Sequence, residues 1–267
     1  LTTRSRWIDL AGAVNVRDLG GLATVDGRTT RFGQILRSDD LQDLTAADVT
    51  YLIDSVGLRD VIDLRTDAEV RLEGPGPLTR VDAVTIHHLS LFTEVTRAGA
   101  DAKATVDVDK VLPWHTKRDD EHAPAEDKLL ANYLDYFTQR PDSVVTALRL
   151  IAHGNGATVV HCAAGKDRTG VICALVMEAV GVVREEIVAD YIQTGERIEP
   201  ILARLRSRET YAADLNGRPV ASSLPRPYFM QRLLATIEER FGGALGWLTA
   251  HGWTSADQKA LRRRLTE

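Results

Sequence analysis

Cys162 is separated from Arg168 by five residues, and the run from 161 to 170 reads His161, Cys162, Ala163, Ala164, Gly165, Lys166, Asp167, Arg168, Thr169, Gly170. These residue types at this spacing suit a thiol that attacks phosphorus. Such chemistry needs a thiolate at neutral pH, neutralisation of the phosphoryl oxygens, and a proton for the departing oxygen. A free cysteine titrates near pH ~8.5 and is only a few per cent ionised at neutrality. Between a strand end and a helix start, Cys162 would meet backbone N–H groups and the positive end of a helix dipole, which favour the thiolate and afterwards bind phosphoryl oxygens. Small Ala163, Ala164 and Gly165 let the backbone curl tightly enough to aim those N–H groups inward.

Arg168 would grip two phosphate oxygens with its planar fork and follow the charge into the transition state. Thr169 is placed to hydrogen-bond the sulfur and help it leave in a second, hydrolytic step. Lys166 adds a charge suited to dianionic or polyanionic substrates. Asp167, crowded by thiolate and phosphate, is a candidate general acid, because neighbouring negative charge favours a protonated carboxyl. Read locally, the same residue is a helix N-cap. Cys-x5-Arg alone is weak: with two cysteines and arginine at about one residue in ten, it arises by chance with probability roughly 0.2. The preceding apolar strand with His161, the glycine at the turn, the Thr169-Gly170 pair and the apolar helix beyond make the signal strong. The plain alternative for Cys162 is a buried structural thiol, and that is the reading adopted for Cys173 within the apolar run 171–180.

The elements that must position this loop are legible on both sides of it. Residues 157–161 read as a short buried strand, ended upstream by Gly154-Asn155-Gly156, and a helix starts around Arg168. Earlier, Asp26-Gly27 predicts a hairpin turn between 21–25 and 31–36. Thr45, with Asp48 three residues on, predicts the N-cap of a helix ending near Gly57. Strands are expected over 58–64 and within 81–91. Pro124 opens a helix running to Arg140 with Leu129, Leu130, Tyr133, Leu134 and Phe137 on one face, and a second helix covers 143–153. The remainder reads as helical, with a turn-rich break over 216–227 and a last helix capped by Thr254-Ser255 that carries Arg262, Arg263 and Arg264. Those arginines read as a solvated face, with contact to an anionic membrane as the alternative. A mixed front half and helical tail predict a three-layer α/β fold.

Composition sets the outer bounds. At 267 residues and 44% hydrophobic, the chain 1–267 is expected to bury one substantial core as a single domain. A net charge of -5 gives no global sign of nucleic acid as partner. Two cysteines make no disulfide framework, so a reducing, cytoplasmic setting is expected, with secretion by a route without a signal peptide left open. The apolar stretch 171–183 contains Glu178 and is too short to span a bilayer. His87, His88, His115, His122, His153 and His251 show no metal-ligand spacing. Arg17-Asp18 is expected to form an ion pair beside a turn, and Arg37 and Asp63 to be architectural.

The string 161–170 resembles the loop of the protein tyrosine phosphatase superfamily, and its Lys166-Asp167 pair resembles the bacterial atypical phosphatases of the mycobacterial tyrosine phosphatase B type. Further matches run along nearly the whole chain: Asn15-Val16-Arg17-Asp18-Leu19-Gly20-Gly21, Leu36-Arg37-Ser38-Asp39, Val61-Ile62-Asp63-Leu64-Arg65, Glu186-Ile187-Val188-Ala189-Asp190-Tyr191 and Phe241-Gly242-Gly243. The resemblance implies a three-layer cysteine-phosphatase fold: a central, mainly parallel sheet flanked by helices, with the active loop at a strand's C-terminal end. It implies a helical lid over a deep pocket, matching residues 92–127 in position, although that segment departs from the family in sequence. It also implies hydrolysis of phosphotyrosine, in some members with phosphoserine, phosphothreonine or phosphoinositides, with no metal or other cofactor. No separate tryptophan-proline-aspartate acid loop is evident, and the loop aspartate, here Asp167, is the family's usual acid. Glu94, just past the strand ending near Leu91, is a second place for an acid, weighed against an exposed lid residue.

The expectation is a phosphoric monoester hydrolase working through a phosphocysteine on phosphorylated protein or phosphoinositide. A phosphatase of small metabolites, nucleotide or sugar phosphates, is the alternative that the divergent 92–127 segment favours. A catalytically dead phospho-binding module is disfavoured by the presence of Cys162, Arg168 and Thr169.

Overall fold

The computed structural model describes residues 5–93 and 125–267. Among these residues lie the strands β1 (Arg17–Asp18), β2 (Ile35–Ser38), β3 (Leu58–Asp63), β4 (Thr85–His88) and β5 (Ala157–His161). They form a sheet in the order β1-β2-β5-β3-β4, parallel throughout except for the antiparallel β1. The helices are α1 (Ala46–Thr50), α2 (Asp67–Glu73), α3 (Ala125–Gln139), α4 (Pro141–His153), α5 (Asp167–Val180), α6 (Arg184–Gln193), α7 (Ile198–Arg206), α8 (Glu209–Leu215), α9 (Pro227–Phe241), α10 (Ala244–Ala250) and α11 (Ser255–Leu265).

Strand alternation divides the core into two. Ile35, Ile62 and Val160 face the larger cluster, built with α3 to α6 and α9 to α11. Their neighbours Leu36, Val61 and Val159 face the smaller one, with Leu41, Leu44 and Leu52 around α1. The three expected layers are therefore present. β5 is buried along its whole length between β2 and β3, as the apolar character of Ala-Thr-Val-Val predicts for the middle of a parallel sheet. Helix α5 packs behind it with Arg168, Thr169, Gly170 and most of its length buried, so it behaves as a central core helix rather than an amphipathic surface one.

This topology determines what can reach the loop after β5. Ser38 and Asp63 lie in register with His161 on either side, so the segments leaving β2, β3 and β5 emerge together at the C-terminal edge of the sheet. Ligand sites of open α/β sheets form at that edge, where crossovers depart in both directions.

Local details follow the sequence with some corrections. Thr45 caps α1 in a reciprocal capping box with Asp48, a π-helical turn (Tyr51–Ser55) extends it, and Gly57 turns the chain at φ 76°. Thr254 forms the same device with Asp257 on α11. Asp26-Gly27 makes the expected turn, with Gly27 N–H bonded to the Thr24 carbonyl, and a short pairing runs across it: the Ala23–Thr29 bridge, with the N–H groups of Thr24, Thr30 and Gly21 bonded to the carbonyls of Arg28, Leu22 and Thr30. The same residues also pair outward, Thr24 with Val182 and Thr30 with Thr266, so the pairing stays local to 21–30 and does not run on into 31–36. Arg262 and Arg264 do not form a solvated face: Arg262 binds Asp26 and the Val180 carbonyl, and Arg264 reaches the Gly156 carbonyl. Phe92, the first residue of the expected lid segment 92–127, belongs to the core, where it packs edge-on against Tyr136. Glu94 and the stretch 94–124 lie outside the described residues.

Candidate active site

The loop begins where β5 stops. Cys162 is 2% exposed, at the foot of a backbone turn that Gly165 completes at φ 65°. A side chain at Gly165 would collide with the Ser38 carbonyl, so a glycine is required both for the left-handed conformation and for the close approach of β2. Lys166 ends the turn and Asp167 opens α5. His161 donates from Nδ1 to the Cys162 carbonyl at 3.2 Å, because that oxygen can only accept, and burial holds the imidazole below its ordinary pKa.

Arg168 is held by a residue that the sequence reading did not find. The Glu69 carboxylate grips it end-on, Nη1 to Oε2 at 2.6 Å and Nη2 to Oε1 at 2.9 Å, while Nη1 also reaches the Leu64 carbonyl at 3.3 Å. Tyr211 Oη donates to Oε1 at 3.1 Å and the Thr66 N–H to Oε2 at 2.8 Å, so every donor around Glu69 stabilises its charge. Burial alone would raise this carboxyl, yet Arg168 and these donors hold it below the usual range. The guanidinium in turn is stabilised well above its ordinary value, against burial, by Glu69 above all, with Cys162 adding to the rise. Thr66-x-x-Glu69 carries the sequence signal of a capping box, which it forms; what marks it out is a glutamate with no exposed surface. The ring of Phe92 lies under the same guanidinium, 5.8 Å from centroid to Cζ.

Asp167 does not cap α5; the N-cap position is Lys166, and the Asp167 carboxylate instead accepts a hydrogen bond from Tyr133 Oη. A phenol has one proton, so Tyr191 must donate to Tyr133 across their 2.9 Å contact. A chain of two hydroxyls, one from α3 and one from α6, thus orients Asp167 at the loop's mouth. Burial, then the negative charge of Asp167, push the Tyr133 phenol well above its ordinary pKa, so it remains a donor. Lys166 turns away from the loop axis: its Nζ donates to the Ser223 carbonyl at 2.9 Å and lies 3.6 Å from Asp167 Oδ2. The Thr169 hydroxyl is buried and, among the described residues, makes no hydrogen bond, so the expected bond to the sulfur is not formed here. Cys173 is core, its thiol pushed up to about 12 by burial.

Arg17 and Asp18 do not pair with each other. Asp18 accepts from the N–H groups of Gly20 and Gly33, while Arg17 binds Asp190 of α6 at 3.1 Å. Arg37 joins the same carboxylate at 2.6 Å and Arg6 at 2.8 Å. Asp63 forks with Arg65, with Oδ2 2.7 Å from Nη2, so it is architectural as expected.

Residues 8–267 match the family model described as "Tyrosine phosphatase family". The chain is 29% identical to the triple specificity protein phosphatase PtpB of Mycobacterium tuberculosis, over 95% of this chain and 97% of that protein. It is also 29% identical to a tyrosine-protein phosphatase of Nostoc commune, over 86% of this chain and 73% of that one.

Proposed function

Since the chain belongs to the tyrosine phosphatase family and is a cysteine-dependent phosphatase, we propose that it hydrolyses phosphotyrosine, together with further phosphoesters, phosphoinositides among them, through a phosphocysteine on Cys162. The observation that carries this reading is the pairing of a buried cysteine at the end of β5 with Arg168, six residues on, locked by Glu69.

In the first step the Cys162 thiolate donates an electron pair to phosphorus and the P–O bond to the leaving group breaks. Backbone N–H groups from Ala163 to Arg168 and the Arg168 guanidinium carry the charge of the phosphoryl oxygens. Asp167 gives its proton to the departing oxygen, with the Tyr133 hydroxyl fixing where that carboxyl points. In the second step Asp167 takes a proton from water as the water oxygen attacks phosphorus, the S–P bond breaks, and the thiolate and inorganic phosphate are released. Thr169, whose hydroxyl has no other hydrogen-bond partner among the described residues, serves the departing thiolate. Lys166 lies at the rim, able to trade the Ser223 carbonyl for a second phosphate on a polyanionic substrate. Residues 1–267 act as one phosphatase domain.

The name of the mycobacterial relative, a triple specificity phosphatase, supports breadth of substrate. Comparing kcat/KM on phosphotyrosine, phosphoserine and phosphothreonine peptides, on phosphoinositides and on small phosphomonoesters tests it. Activity on phosphotyrosine and on at least one other class is expected; a strong preference for one small metabolite would overturn it.

A further inference from the structure

A trans peptide is planar, so its N–H and C=O point in opposite directions. For a loop to aim successive N–H groups at a bound anion, the carbonyls of the same peptides must be turned outward into the protein. Buried there, each needs a donor. No cis peptide bond occurs among the described residues, so the donors behind the loop report directly on which way its N–H groups face.

Those donors are present one after another. The Ala163 carbonyl accepts from the Asp40 N–H at 2.9 Å. Asn15 Nδ2 donates to the Ala164 carbonyl at 2.9 Å and to that of Gly165 at 3.2 Å. Arg37 Nη2 donates to Gly165 at 2.7 Å and to Lys166 at 3.4 Å. The N–H groups of residues 164–167 are therefore turned the opposite way, toward the anion site. Both side chains are fully buried and cannot swing. Asn15 Oδ1 accepts from Arg17 Nη1 at 2.6 Å, and its own N–H is held by Asp39 at 2.9 Å. The other arm of Arg37 is fixed by Asp190 at 2.6 Å.

We infer that Asn15 and Arg37 are positioning residues for catalysis: they hold the carbonyls of Ala164, Gly165 and Lys166 outward and so create the phosphate cradle. Asp190 orients Arg37 and, through Arg17, Asn15. This rests on the phosphatase reading of the loop, and it assigns a task to the segments around Asn15, Arg37 and Asp190 that touch no substrate.

Asn15→Asp keeps the size and the contact with Arg17 but puts an oxygen where the donor was. Arg37→Lys keeps the buried charge beside Asp190 but lacks the second arm. The test measures inorganic phosphate affinity by calorimetry, kcat and KM for p-nitrophenyl phosphate, and melting temperature, on wild type and both variants. Each variant is expected to bind phosphate about tenfold more weakly, the scale of one buried hydrogen bond lost, with kcat/KM falling at least as far. A lower melting temperature with unchanged phosphate affinity and kcat/KM would make the two residues merely structural and overturn the inference. If Asn15→Asp does not fold, Arg37→Lys decides by the same readings. A wild type that binds phosphate but turns over no ester would sink the phosphatase reading, while the phosphate titrations would still judge the cradle.

Discussion

Two buried carboxylates flank the loop, Glu69 beside its mouth and Asp190 behind its base, and they hold arginines in opposite ways. Glu69 serves one guanidinium, Arg168, with Tyr211 and the Thr66 N–H completing its shell. Asp190 serves three, Arg6, Arg17 and Arg37. Charge is balanced at the first and in surplus at the second. The surplus shows in Arg17, lowered to about 10 by burial and by the charge of Arg37. It shows also in Asp190, held well below its usual range, against burial, by Arg17, Arg37 and Arg6. The two clusters therefore have different tasks. A one-to-one pair aims a cation at an incoming anion. An over-supplied carboxylate spends its cations' remaining N–H groups on carbonyls, those of Asp190 and Gly165 among them, and fixes shape.

Breaking each carboxylate separates the two roles. Asp190→Asn strands Arg17 and Arg37 without their counter-charge, and a loss of about 3–5 kcal/mol of stability is expected by chemical denaturation, one that phosphate does not restore. Glu69→Gln keeps the shape and removes the charge; kcat/KM should fall about a hundredfold, the scale of one misdirected charge-stabilising donor. Its thermal stability should recover when phosphate is added, because the anion replaces the missing charge on Arg168. Equal behaviour of the two variants toward phosphate would erase the distinction.

Smaller changes sharpen it. Tyr133→Phe removes the donor that orients Asp167, and kcat on alkyl phosphates is expected to drop roughly tenfold, with less effect on aryl esters whose phenolate leaves unaided. A uniform loss on both would mean that Tyr133 acts on the fold rather than on the proton donor. Asp39, which holds the Asn15 N–H, is the subtlest probe. Burial raises its carboxyl from 3.8 to about 6, with Asp40 adding to the rise and Arg204 opposing it. The fold therefore binds this proton more tightly than the unfolded chain does. The stability it contributes is full below pH ~4 and is lost as pH rises through about 6. Asp39→Asn should flatten the fall in melting temperature across that window; an unchanged slope would assign it to other groups.

Much of this was legible in the sequence because it is contiguous. The loop 161–170 places its nucleophile, turn and arginine within one string, and the apolar strand and helix around it read directly from their residues. What supports the loop was not legible. Asn15, Arg37, Glu69, Tyr133 and Asp190 come from five separate segments, brought together because β2, β3 and β5 end in register and α6 packs across them. Arg17-Asp18 shows the limit of adjacency: neighbours of opposite charge on a strand point to opposite faces and find different partners. Glu69 carried a visible signal, but the capping box explained it locally, and only its burial discloses the second role.

The central claim, that Cys162 is the nucleophile, is tested most directly by turnover of a phosphotyrosine peptide by Cys162→Ser protein shown to be folded. No turnover above the uncatalysed background is expected, because the serine hydroxyl is not ionised in a site built for a thiolate. Turnover within tenfold of the wild type would contradict it.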